Sequence, residues 1–134
     1  MYNAEVTLLH IPSVNQAHQI GRSKSRVWIY LNPEIKKMQD KIKMDLRTQG
    51  CVEYFKEFKN SDKYYFKLTL TFMLNRGYWS RDVSNLIKYV EDGIMAITKI
   101  DDSLTTVIKA TKTINEQSPY EKIFIEIEPC LKEF

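Results

Sequence analysis

Between Tyr64 and Leu74 the chain alternates strictly. Phe66, Leu68, Leu70, Phe72 and Leu74 fall on one side, with Lys67, Thr69 and Thr71 on the other. A period of two predicts a strand with one buried face. Ile35, Met38, Ile42 and Leu46 instead recur at helical spacing. Asn32-Pro33-Glu34 opens that helix with a capping side chain, a proline at the first helical position and an acid near the positive end of the dipole. Gly50 supplies its stop, and a further short helical turn is expected within Val52–Lys59. From Val83 to about Ile97, the residues Leu86, Ile87, Val90, Ile94 and Ile97 mark a second amphipathic helix.

The weaker patterns fill in the rest. Glu5–Ile11 reads as a first strand that stops at Pro12, and Val27–Leu31 as a short strand. Asn15–Arg26 is polar, lacks an apolar stripe and reads as a loop. Leu104–Ile114 and Lys122–Glu128 read as strands joined by the polar turn Asn115–Tyr120, which predicts an antiparallel hairpin. The expected fold is α+β, a mixed or antiparallel β-sheet packed with two main helices. With no repeat or linker, residues 1–134 form one domain.

Composition narrows the class without naming a function. Hydrophobic content of 43% and charged content of 28% describe a folded protein rather than a disordered one. The net charge of +3 permits an anionic partner without demanding it. Cys51 and Cys130 form no short-spaced metal motif. The first ten residues show no signal-peptide pattern, and no apolar run approaches the ~20 residues that span a bilayer. A cytoplasmic protein with reduced thiols and no membrane association is therefore expected.

Candidate chemistry gathers between Ser80 and Asp102. Asp82 stands where a loop becomes a helix, and Asn85, Lys88 and Asp92 follow at spacings of three and four, on one polar stripe. Asp101-Asp102 precede the next strand, and a strand returning beside the helix would bring them towards that stripe. Clustered carboxylates suit a hard cation such as Mg²⁺, which takes one or two of them with water and phosphate oxygens. Each residue also has an ordinary reading. Asp82 is a helix cap, Lys88 and Asp92 are a surface i,i+4 pair, and Asp101-Asp102 are turn residues.

Taken together, Asp82, Asn85, Lys88, Asp92 and Asp102, with the run Pro12-Ser13-Val14-Asn15, resemble the pattern of the RusA family of Holliday-junction resolvases. The resemblance implies a RusA-like fold and a homodimeric, Mg²⁺-dependent endodeoxyribonuclease. Such an enzyme cuts branched (four-way) DNA by paired incisions in recombination and repair, and uses no nucleotide cofactor. It implies metal ligands at Asp82 and Asp102, with Asp92 a further acidic member and Asp101 an alternate. It implies a functional lysine at Lys88, so that Asp82, Lys88, Asp92 and Asp102 form the catalytic set. Ser84 stands where the family has a second aspartate, and a hydroxyl is a weaker magnesium ligand. The alternative is therefore a weakly catalytic or non-catalytic branched-DNA-binding module.

Arg22, Lys24 and Arg26 in one loop, Arg76 and Arg81 in another, and Asn85 are the expected DNA contacts. Tyr78 and Trp79 lie between the two arginines and suit either base stacking or packing in a core or dimer interface. His10 and His18 have no partner pattern and are read as structural or surface residues.

Overall fold

The computed structural model describes residues 1–12, 18–22, 27–59 and 61–133. In chain order the elements are β1 (Tyr2–Leu8), β2 (His18–Arg22), β3 (Val27–Leu31), α1 (Pro33–Thr48), α2 (Cys51–Phe55), β4 (Tyr64–Leu74), α3 (Ile87–Thr98), β5 (Thr105–Ile114) and β6 (Glu121–Leu131). A four-stranded mixed sheet runs β1-β6-β4-β5, and β2 pairs with β3 in a separate two-stranded ribbon. The α+β class read from the sequence describes this architecture.

The periodic segments behave as their patterns require. β4 buries Phe66, Leu68, Leu70, Phe72 and Leu74 against Ile35, Met38, Ile42 and Leu46 of α1 and Val90, Ile94 and Ile97 of α3. The Asn32 side chain accepts the Glu34 N–H at 2.9 Å and so caps α1. The chain leaves the helix through Gly50 at φ 74°, a left-handed conformation that glycine adopts without a Cβ penalty. At the crossing of the two helices a Cβ on Gly93 would stand 3.4 Å from Ile42 Cγ2, so glycine there lets α3 lie close on α1. An aromatic cluster of Tyr2, Tyr54, Phe55, Phe58, Tyr64 and Phe66 closes one end of the core.

Several boundaries and pairings depart from expectation. The first strand is Tyr2–Leu8 rather than Glu5–Ile11, because Tyr2 is buried and donates its hydroxyl to Gln49 O at 3.2 Å. The expected loop Asn15–Arg26 contains β2, whose partner β3 supplies the ladder that a polar sequence does not advertise. Most importantly, β5 and β6 are not a hairpin. β5 runs parallel to β4, from Phe66↔Thr105 to Leu74↔Ile114, whereas β6 lies antiparallel on β4's other side. The reason is the crossover. A strand, a covering helix and a second strand form a βαβ unit, whose strands are parallel neighbours. β5 then occupies one side of β4, and β6 must take the other.

Both cysteines are free, Cys51 buried and Cys130 partly so. Among the described residues no helix is long and apolar enough to cross a membrane.

Candidate functional site

The sheet topology gathers the ends of β1, β4 and β5 and the start of β6 at one end of the molecule. The loop 75–83 crosses this end and is held by two buried or half-buried cations. Arg81 points inward and is only 7% exposed. Its guanidinium donates to both oxygens of Glu121, at 2.5 and 2.7 Å, to Arg76 O at 3.2 Å and to Ile11 O. Glu121 is fully buried and also accepts the N–H of Ile11 at 2.7 Å and of Asn75 at 2.8 Å. Burial alone would raise its pKa, but the Arg81 bonds and the two backbone donors outweigh that and hold it below the ordinary carboxylate value. His10 Nδ1 stands 3.4 Å from the same carboxylate. Lys112 on β5 is the second anchor. Its ammonium donates to Tyr78 O at 2.5 Å and Arg81 O at 2.7 Å, and lies 5.0 Å from the centre of the Tyr78 ring.

These anchors present an indole to solvent. Trp79 is 91% exposed, and the Tyr78 ring meets it edge-on at 4.8 Å and 89°. Gly77 permits the turn. It has φ 67°, and a Cβ there would stand 2.9 Å from Arg81 Cδ. Trp79 walls a cleft of about 480 Å³ lined also by Gly77, Tyr78, Ser80, Ile114 and Glu116. A neighbouring groove of about 380 Å³ shares Glu116 and adds Leu9, Asn75, Arg76 and Pro119.

The residues singled out in the sequence are dispersed. Asp82 is exposed, and its Oδ1 accepts the Ser84 hydroxyl at 2.6 Å and the Ser84 N–H at 2.9 Å. Those two bonds, with the Lys112 charge nearby, hold Asp82 below the usual carboxylate range. Ser84 thus closes a local turn on Asp82, and Ser84–Leu86 forms a 3₁₀ turn before α3. Asn85 and Lys88 are exposed. Lys88 and half-buried Asp92 line a groove of about 410 Å³ between α1 and α3, with Leu31, Gln39, Lys43 and Tyr89. Neither Lys43 nor Lys88 forms an ion pair within 4 Å among the described residues.

Asp101 and Asp102 stand at the opposite end of the sheet. They precede Thr105, which pairs with Phe66 at the start of β4, whereas Asp82 lies beside Lys112 towards the far end of β5. Seven strand residues of about 3.3 Å each separate Thr105 from Lys112, or about 23 Å. The parallel β5 takes the paired aspartates away from Asp82. Asp101 uses its Oδ1 to accept the Ser103 N–H at 2.9 Å. Among the described residues no group of three His, Cys, Asp or Glu side chains is placed to hold a metal ion. The sheet thus parts Asp82 from Asp101 and Asp102, between which the resemblance had shared a Mg²⁺ ion.

Of the expected DNA contacts, Arg76 is exposed and Arg81 is consumed by Glu121. Lys24 and Arg26 lie outside the described residues, as do Ser13, Val14 and Asn15 of the N-terminal motif, and Arg22 is described in its backbone alone. Sequence reading missed Glu121 and Lys112. Glu121 carried a signal, since it shares the buried parity of Ile123, Ile125 and Ile127, whereas Lys112 lies on β5, where Ile108 and Ile114 of the same parity are exposed. A charge on a buried parity calls for a partner.

No family model matches the chain, and no curated protein matches it. Among solved structures, Plasmodium falciparum IspF in a CDP complex is similar over 98% of this chain and 96% of that chain, at 12% identity and a TM-score of 0.38. The 2C-methyl-D-erythritol 2,4-cyclodiphosphate synthase of Plasmodium vivax is similar over 98% and 97%, at 8% identity and a TM-score of 0.36. These comparisons correct the resolvase resemblance. The two solved structures are synthases rather than resolvases. The family assignment, the nuclease activity and the role in recombination and repair are withdrawn. The alternative drawn from Ser84, a weakly catalytic or non-catalytic branched-DNA-binding module, falls with them, because Ser84 had that meaning only against the family pattern. At such low TM-scores and identities the synthases lend this chain neither their fold nor their chemistry.

Proposed function

We propose that the protein is a binding module for a nucleic-acid strand with unpaired bases, DNA being the expected partner. The carrying observation is Trp79, 91% exposed yet braced edge-on by Tyr78 on a loop pinned by Lys112 and Arg81. A large apolar ring left in water contributes little to folding, and its rigid mounting supports a role as a stacking platform. Every base has a π-face, so stacking on an indole is sequence-tolerant and favours bases freed from a duplex. Arg76 beside the platform, and Lys43 and Lys88 in the α1–α3 groove, are cations without ion-pair partners among the described residues. They suit phosphates. Exposed Asn85 adds a polar group before α3.

Fluorescence anisotropy with labelled single-stranded and duplex oligonucleotides tests the reading. Single strands bind more tightly than duplex, and Trp79→Ala weakens binding by about 1–3 kcal/mol, the usual worth of one stacked base. Lys88→Ala or Arg76→Ala lowers the slope of log affinity against log salt by about 0.7 for each phosphate no longer neutralised. Absence of binding at low salt, or affinity indifferent to Trp79→Ala, refutes the proposal.

A further inference from the structure

We infer that the cleft walled by Trp79 is a subsite for one unstacked guanine, with Glu116 as the residue that selects it; this rests on the nucleic-acid reading above. The cleft supplies two kinds of surface. The Trp79 indole and the half-exposed Ile114 side chain offer apolar area for a flat ring, and Tyr78 braces the indole from its edge. Glu116 brings the single carboxylate among the lining residues, and it forms no ion pair within 4 Å among the described residues. The other polar groups nearby are engaged. The Ser80 hydroxyl donates to Gly77 O at 3.3 Å, and the Asn75 amide donates to Ser118 O at 3.2 Å.

A free carboxylate accepts hydrogen bonds and donates none, which sorts the four bases by their pairing edges. Guanine presents two adjacent donors, N1–H and the N2 amino group, and two parallel charge-assisted bonds to one carboxylate satisfy both. Adenine and cytosine each present one amino donor beside a ring-nitrogen acceptor, which faces the second carboxylate oxygen unfavourably. Thymine and uracil present one N–H between two carbonyls. Glu116 also lines the neighbouring groove that contains Arg76, so a base held by Glu116 has a cation close by for its phosphate. Stacking thus supplies affinity for any base, and Glu116 supplies the preference.

The test uses the full chain carrying Trp28→Phe, which leaves Trp79 as its one tryptophan. The Trp79 indole N–H resonance is followed by NMR during titration with dGMP, dAMP, dCMP and dTMP. The expected result is dGMP binding about tenfold more tightly than the others, the discrimination of one good bidentate pair. Glu116→Gln replaces one acceptor with a donor and is expected to erase that preference while leaving dAMP affinity within about twofold. Circular dichroism confirms that the variant is folded, which its exposed turn position favours. Equal responses to all four nucleotides, or a guanine preference that survives Glu116→Gln, overturn the guanine assignment and leave the nucleic-acid reading intact. No response to nucleotides, with Trp79-dependent oligonucleotide binding retained, overturns the subsite alone. No response to nucleotides or oligonucleotides overturns both.

Discussion

Replacing Glu121 with glutamine removes a charge from the most heavily connected polar group at the functional end. The carboxylate accepts four hydrogen bonds, two from Arg81 and one each from Ile11 N–H and Asn75 N–H, with no solvent exposure. Glutamine retains one acceptor oxygen and turns an NH₂ towards donors. Arg81 is then a buried cation without a counter-charge, a situation that typically costs about 3–5 kcal/mol. For a domain of this size, about 3–4 °C of Tm per kcal/mol translates this into a fall of roughly 10–20 °C. The cost is a large share of the ~5–15 kcal/mol that holds a typical domain folded.

Urea denaturation followed by far-ultraviolet circular dichroism measures it, with the slope m checked for constancy so that the midpoint reports stability. A second variant separates charge from shape. Arg81→Met combined with Glu121→Gln removes the stranded cation, so the double variant is less destabilised than the sum of the singles by at least about 1 kcal/mol. A Glu121→Gln cost below about 1 kcal/mol, or strict additivity in the cycle, refutes the claim that this pair anchors the end of the sheet.

Three further outcomes follow from the packing and the titrations. The folded pKa of Glu121 is depressed, so its contribution is present above the unfolded value of about 4.3 and is lost as pH falls through the lower folded value. Acid unfolding curves of wild type and Glu121→Gln therefore begin to draw together as pH falls below the unfolded value and meet below the folded one, and curves that stay parallel through acid argue against the linkage. Burial pushes the Cys51 thiol up to about 11, with Glu53 adding to the shift and the Tyr2 hydrogen bond opposing it. In a thiol-reagent assay at about pH 8, Cys130 reacts first and Cys51 only on unfolding; two equally fast thiols contradict the burial. Gly93→Val places a branched side chain against Ile42 and costs about 1–3 kcal/mol by overpacking, and an unchanged Tm shows that the helix pair has room.

The sequence alone determined the local elements wherever one face is buried. The alternation of Tyr64–Leu74, the stripe Ile35–Leu46 and the Asn32-Pro33 start are properties of neighbouring residues, and each appears where its period places it. Parity even carried an unread message in Glu121, a charge on a buried position. Only the tertiary structure decided which strand lies beside which. Periodicity reports that a segment has a buried face and says nothing of its neighbour in the sheet, so β5 and β6 looked like a hairpin while both pair with β4. That choice separated Asp82 from Asp101 and Asp102 by roughly the length of β5, since a parallel strand reached through a helix starts at the far end of the sheet. It also turned Arg81 inward and left Trp79 in water, because burial is settled by what packs across the chain and not by the residues on either side.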